Sequence, residues 1–375
     1  AVNLSDVDNE SDEVPVAVHN NKLGMTMESI TNMYAFPSHK DIDPSFIMTT
    51  FYYLLFGLML GDAGYGLVMT FLCLFVKFKY KPEPRKRATV NYGLGCGLST
   101  TFWGAMQNSW FGDLPKWIAN GLKSNEPTDF ISTHHLYWFD PLQNTTRFLL
   151  LCFFIGILHL ILANCINLYK MSKQGMAFEG FFEVVPILLI LVGIIPVINS
   201  YIGGGALAEI PSTQPIDNMI NAAAPVLYIL LIIGAIGVVV GPAIVRIKQK
   251  SSVGKVLGGL GGGLYGLYNA ASGYLGDILS YARLLALGLC TGVIASVINQ
   301  LAATPGGGNW FLFIIIFIIG HTINLGINLI GAYVHTNRLQ YVEFFSKFYE
   351  GGGRVFEPFA PKTKYVRFKE NNAEK

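Results

Sequence analysis

The chain has 375 residues, 52% of them hydrophobic and only 13% charged, with a mean hydropathy of +0.44 and a formal net charge of +2. A soluble domain carries roughly 25% charged residues, so this composition excludes an ordinary soluble fold. The near-neutral balance offers nothing for nucleic-acid binding. The five cysteines (Cys73, Cys96, Cys152, Cys165 and Cys290) sit in or beside apolar runs without metal-ligand spacing, and read as small packing residues.

Residues 1–45 are polar and acidic (Asp6, Asp8, Glu10, Asp12, Glu13) and close on Asp41-Ile42-Asp43-Pro44. They read as the trailing edge of a cytoplasmic domain of a longer protein. Apolar stretches follow at 46–79, 89–111, 147–169, 182–202, 222–245, 269–303 and 309–345. A helical span needs about 20 apolar residues, and each stretch meets that length. The first is interrupted by Gly61-Asp62-Ala63-Gly64-Tyr65-Gly66. The last two run on without a break and would each make a helix of ~50 Å against a hydrocarbon core of ~30 Å, to be accommodated by protrusion or by strong tilt.

Charge at the borders decides how the first stretch crosses. Basic residues follow it (Lys77, Lys79, Lys81, Arg85, Lys86, Arg87) and recur at Lys170/Lys173, at Arg246/Lys248/Lys250/Lys255, and at Lys362, Lys364, Arg367 and Lys369. The loops between are poor in them: residues 112–145 hold only Lys116 and Lys123, and 203–221 none. A hairpin turning near Asp62 puts every basic cluster on one side. The expectation is therefore an all-α membrane protein of about eight transmembrane helices, the last two long and strongly tilted. The membrane domain spans 46–349, residues 350–375 form a cytoplasmic tail, and both termini are cytoplasmic. Asp62 is then either a wet turn residue or part of an entry path.

Several polar residues stand out within these stretches. His159, with Asn164 and Asn167, makes a small patch in the fourth span, and Glu179 and Glu183 stand at the mouth of the fifth; solvated borders and relays both fit. The run Gly258–Gly263 lacks the Lys-Ser/Thr of a phosphate loop and reads as a flexible connector. Arg283 is mid-span, where an arginine costs several kcal/mol and must face water, a cavity or a counter-charge. Asp277 is six positions earlier and off its helical face, so a same-helix pair is disfavoured. His321, Asn324, Asn328, His335 and Arg338 recur at three, four and seven, as a cavity-lining stripe or an interhelical hydrogen-bond seam. Arg338 alone fits an interfacial anchor equally well.

Three stretches carry a resemblance. Phe56-Gly57-Leu58-Met59-Leu60-Gly61-Asp62-Ala63-Gly64-Tyr65-Gly66, Gly276-Asp277-Ile278-Leu279-Ser280-Tyr281-Ala282-Arg283-Leu284-Leu285-Ala286-Leu287 and His335-Thr336-Asn337-Arg338-Leu339-Gln340-Tyr341-Val342-Glu343-Phe344-Phe345-Ser346-Lys347-Phe348-Tyr349 resemble signature segments of the membrane stator subunit of V-type and archaeal-type rotary ATPases. That subunit is called a in eukaryotes and I in prokaryotes, and the style here is that of the prokaryotic branch. The resemblance, covering about Val14 to Phe359, implies two long tilted helices against a ring of proteolipid c-subunits. Arg283 and Arg338 would lie between two offset half-channels for H⁺ or Na⁺. Asp62, His159, Glu183, Asp277, Ser280, His321, Asn324, Asn328, His335 and Glu343 are the candidate lining.

The resemblance also implies partners: the c-ring, peripheral-stalk subunits held by an amino-terminal domain, the central stalk and catalytic head, and the cell membrane itself. The chain would be non-catalytic, needing no cofactor or metal, with ATP chemistry in soluble partners. An arginine suits the role because it keeps its charge and favours ionisation of an arriving ring carboxylate. The pattern departs from the family at Thr336-Asn337, where many relatives have Ser-Leu, and at Asn328, where eukaryotic members tend to have a glutamate. An independent secondary transporter and a purely structural membrane anchor are the competing readings.

Overall fold

A computed structural model describes residues 15–356 apart from 19, 22, 39–40, 120–140, 143, 202–213, 249–252 and 304–309. The acidic residues before 15, Lys123, Lys250, much of the loop 203–221 and the basic tail from Lys362 lie outside the described residues. Among the described residues the regular elements are helices but for one two-stranded parallel pair, β1 (Pro15–Val16) with β2 (Arg354–Val355).

Helix α1 (Gly24–Tyr34) precedes α2 (Ser45–Leu60), α3 (Ala63–Lys79) and α4 (Pro84–Met106). The expected interruption is a two-residue corner. Gly61 ends α2 in the left-handed region (φ 47°), where a side chain would be strained, and Asp62 caps the first turn of α3. Glycines let α4 approach both helices: Gly57 lies on Ser99 and Trp103, Gly66 on Thr101, Gly97 on Thr70 and Gly104 on the Ala63 backbone. These pairings make α4 parallel to α2 and antiparallel to α3. The two arms of the hairpin therefore run in opposite directions with α4 packed against both.

After the short α5 (Leu114–Ala119), α6 (Thr145–Lys173), α7 (Ala177–Gly193), α8 (Ile195–Tyr201) and α9 (Gln214–Lys248) follow. Phe51 stacks on His159 and Lys170 reaches Asp41, so α6 runs antiparallel to α2. Gly193 meets Leu231, Gly237 meets Pro186 and Gly241 meets Phe182, which sets α9 antiparallel to α7. The last three helices are α10 (Val253–Ser280), α11 (Ala282–Ala303) and α12 (Trp310–Arg338), the last continued by a π-helical segment, Leu339–Phe344, and a 3₁₀ turn, Phe345–Lys347. Among the described residues, five runs are long and apolar enough to cross a membrane: 145–173, 177–200, 217–248, 261–303 and 310–347.

Two expectations change here. Gly258–Gly263 lies inside α10 and is not a loose connector: Gly259 and Gly263 rest on the Ala243 and Val239 backbones of α9, a contact that larger residues would block. The two final stretches are also not continuous α-helices. The first is jointed at Tyr281, whose N–H donates to Ile278 O and whose carbonyl accepts from Leu284 N, both three-residue spacings. The second loosens to π geometry directly after Arg338, a distortion that recurs at functional sites.

The core gathers α2, α6 and the C-terminal segment through Tyr52, Phe56, Phe148, Leu160, Tyr281, Phe344 and Phe345. At one end the chain closes on itself, where β1 pairs with β2, Tyr349 Oη donates to Ala35 O and Gly353 N to Phe36 O. We call this the clasp end. Lys170, Lys173, Lys248 and the end of α3 with Lys77 and Lys79 belong to it. The opposite, loop end carries Asp62, the end of α4 and α5.

Candidate functional site

The antiparallel register of α11 and α12 follows from Gly320 against Ile298 and Gly331 against Leu287. Continued, it brings Arg283 level with His335 and one turn from Arg338. The sequence separates the two arginines by 55 positions; the fold sets them at one depth. They differ in surroundings. Arg338 is exposed and has no hydrogen bond or ion pair among the described residues, whereas Arg283 is half-buried and held.

Arg283 Nη1 lies 3.3 Å from Glu343 Oε1, and Nη2 donates to Ser280 Oγ at 3.3 Å. The Glu343 side chain is 2% exposed, and its second oxygen has no hydrogen-bond partner among the described residues. The missing same-helix partner of Arg283 is thus supplied by the π segment. Asp277 is likewise taken from across the interface: Lys347 Nζ is 2.5 Å from its Oδ2 and 4.3 Å from the Tyr274 ring centroid. Tyr274 donates to Asn164 Oδ1 at 2.8 Å, and exposed Glu183 lies within its electrostatic reach. Ser280, Arg283 and Glu343 therefore form one contacting group, and Asp277, Lys347, Tyr274 and Asn164 form a second on its clasp side, with Glu183 near Tyr274; the two groups together make a clasp-side track.

His159 holds the joint beside that track. Its ring is stacked between Phe51 (4.4 Å) and Phe344 (4.3 Å), and Nδ1 lies 2.7 Å from Tyr281 Oη. It is fully buried, and its Nε2 has no partner among the described residues. His159 thus touches the α10–α11 joint through Tyr281 and the residue after Glu343 through Phe344.

A second track runs from mid-span to the loop end. Asn328 Nδ2 donates to Asn324 Oδ1 at 2.5 Å, and Asn324 Nδ2 donates to Tyr65 Oη at 2.8 Å. Tyr65 Oη is 2.6 Å from His321 Nδ1, and His321 Nε2 is 3.0 Å from Asn299 Oδ1. Asn299 Nδ2 in turn donates to Phe111 O at 2.8 Å and to Asp113 Oδ1 at 3.0 Å. Because both of those groups only accept, Asn299 must present its oxygen to His321. His321 then donates through Nε2–H, its Nδ1 accepts from Tyr65, and the Tyr65 oxygen accepts from Asn324. Every donor points the same way, toward the Asp113 carboxylate. The α12 stripe accordingly divides: His321, Asn324 and Asn328 turn inward, while Arg338 turns out.

Asp62 is the clearest correction. It does not meet water at the turn, being 0% exposed. Its two oxygens accept from Tyr65 N (3.1 Å), Phe111 N (3.0 Å), Ser109 Oγ (2.8 Å) and Gly112 N (2.7 Å). It staples the loop after α4 to the α2–α3 corner, beneath a small cavity lined by Gly61, Gln107, Asp113, Lys116, Gly288 and Ser296. Sequence reasoning missed Tyr65, Asn299, Asp113, Tyr281 and Lys347. Asn299, a polar residue within an apolar stretch, carried the same signal as Asn324; the tyrosines and Asp113 carried none.

Comparison with known proteins agrees with this geometry. Residues 2–92 and 273–360 match the V-type ATPase 116 kDa subunit family, so both the α2–α3 corner and the arginine-bearing segments fall within the match. The A-type ATP synthase subunit I of Methanocaldococcus jannaschii is 30% identical over 97% of this chain and 52% of its own length. That of Thermococcus kodakarensis is 32% identical over 94% and 49%, and the V-type ATP synthase subunit I of Chlamydia trachomatis 25% identical over 95% and 57%. The chain spans about half the length of these relatives. With its almost wholly helical membrane architecture, the chain belongs to the V-type ATPase 116 kDa subunit family, alongside subunit I of the archaeal and bacterial ATP synthases.

Proposed function

We propose that this chain is the stator of a rotary ATPase and carries the two half-channels through which H⁺ or Na⁺ reaches and leaves a proteolipid ring. The observation that carries the reading is a polar track on either side of Arg283, one toward the clasp end beginning with Ser280 and Glu343 and one toward the loop end running from Asn328 to Asp113. No hydrogen bond among the described residues joins the two. A fixed cation at that point blocks direct passage of an ion and favours the ionised form of a carboxylate brought against it. An ion can then cross only by riding on a moving partner.

The arrangement of the remaining helices supports the same reading. On this reading α2, α3, α4, α6, α7 with α8, α9, α10 with α11, and α12 are the eight crossings, five runs among the described residues being long and apolar enough by themselves. Residues 253–303 alone would extend about 75 Å as straight helix, more than twice the hydrocarbon thickness, so this run lies strongly tilted and jointed at Tyr281. Leu264, Tyr268, Leu275 and Leu279 of α10 are exposed, and several of its glycines have open space before them. A ring of small-residue helices fits such a surface. The gathering of basic residues at the clasp end supports a cytoplasmic orientation of that end under the positive-inside rule. An amino-terminal domain, stalk subunits and the catalytic head would extend from there.

The test is reconstitution. The purified chain alone in liposomes should move no ions, and it should co-purify with a proteolipid ring from its native membrane. Ion transport by the isolated chain would favour a secondary transporter instead.

A further inference from the structure

Arg283 already has an anion, supplied by this chain. The Glu343 pairing is a single 3.3 Å contact, not the parallel two-bond fork that arginine and carboxylate form when nothing else competes. One guanidinium nitrogen goes to Ser280 instead, and Arg283 remains 25% exposed, so it can be reached from outside. Glu343 has no such access at 2% exposure, and its Oε2 is buried without a partner. It sits in the π segment, fixed from behind by the stacking of Phe344 on His159 and from below by the Lys347–Asp277 pair. A buried carboxylate with one weak contact and one idle oxygen is an incomplete arrangement in a structural ion pair, because unmet acceptors in such places are costly.

We propose that Glu343 is the exchange partner of the ring carboxylate. It neutralises Arg283 while no ring acid is present, and accepts the proton when one arrives. The inference rests on the stator reading above. In balanced form, a protonated carboxylic acid on the rotating chain and the Glu343⁻···Arg283⁺ pair become a ring carboxylate paired with Arg283⁺ and a neutral Glu343. The O–H bond of the ring acid breaks, and the same proton forms an O–H bond on Glu343 Oε2, directly or through water. No charge is left alone in the membrane at any stage.

The charged and titratable groups facing Glu343 are Arg283 of α11, Tyr281 at the joint, Asp277 of α10 through its electrostatic reach to that tyrosine, Lys347, and His159 of α6. Of these, Arg283 alone touches the Glu343 carboxylate. The swap is therefore a two-body exchange at one guanidinium.

Glu343→Gln keeps size and hydrogen-bonding shape but cannot take up a proton. In the assembled complex it should lower ATP-driven ion uptake about a hundredfold, the low end of what a positioned acid–base group contributes. Infrared difference spectra of the complex against the ring-free chain should show a protonated-carboxyl band that this variant lacks. Glu343→Asp, which keeps an acid in place, should retain the band at reduced uptake, and serves if the glutamine variant does not assemble. Wild-type uptake by Glu343→Gln, or an unchanged band in it, overturns the proposal. So does absence of the band in both wild type and Glu343→Asp. If Arg283→Ala abolishes uptake in those cases, the stator reading stands without it; if Arg283→Ala transports normally, both fall.

Discussion

His159 of α6 and Tyr281 at the α10–α11 joint share a 2.7 Å hydrogen bond two residues from Arg283. The bond fixes the helix break that aims the arginine. Tyr281→Phe removes the hydroxyl and leaves a second nitrogen of a fully buried imidazole without a partner, at a cost of about 1–3 kcal/mol. The expected outcome is a lower thermal midpoint in detergent and reduced ATP-driven uptake with ring binding retained. Co-purification and uptake measured on one preparation check this.

Asp62 supports structure, and its substitution should read out as stability. Asp62→Asn turns two acceptors into one and points an amide N–H₂ at donors. With two of the four bonds lost, the destabilisation should be about 2–5 kcal/mol. Thermal unfolding of the purified chain measures it; an unchanged midpoint with lost transport would instead make Asp62 part of the ion path.

The loop-end track should fail as a unit. His321→Phe leaves Tyr65 Oη without its acceptor and Asn299 Oδ1 without its donor. A rise of roughly 1.4 kcal/mol in the barrier would slow uptake tenfold. Asn299→Ala should produce the same defect through the same chain, and the double variant should be no worse than either single one. Additive losses would show that the two residues act separately.

The clasp has a defined pH dependence. Burial pushes the Asp41 carboxyl up, but the hydrogen bond and charge of Lys170 and the N–H groups of Gly351 and Ser38 outweigh it, leaving a net value below the ordinary one. A depressed folded-state value means that the stabilisation is present above the unfolded carboxylate pKa, about 3.9, and is lost as pH falls through the lower folded value. The clasp should therefore hold at neutral pH and open only in strong acid. Lys170→Met, which leaves Asp41 buried and unpaired, should open it at pH 7 at a cost of about 3–5 kcal/mol. Hydrogen exchange at residues 351–356 follows both effects.

Much of the helix layout was legible in the sequence, since a 20-residue apolar run bordered by charge has few alternatives in a bilayer. The hairpin at Gly61-Asp62 was legible from the distribution of basic residues. The joint at Tyr281 was not, because the residues around it are ordinary helix formers and the break is set by His159 from another helix. Nor was the role of Asp62, whose ligands Ser109, Phe111 and Gly112 come from a loop some fifty residues away. The stripe on α12 was read correctly as polar at helical spacing. Its division into an inward track and an outward Arg338 depends on packing against α3 and α11, which spacing alone does not encode.

The claim on which the rest depends is that Arg283 couples ion movement to rotation. ATP-driven ion uptake by the reconstituted complex, with Arg283→Ala compared against wild type at equal ring content, tests it most directly. The account predicts that coupled uptake is lost, and that Arg283→Lys is also impaired because lysine lacks the planar fork shared between Glu343 and Ser280. Coupled uptake at the wild-type rate in Arg283→Ala would contradict it.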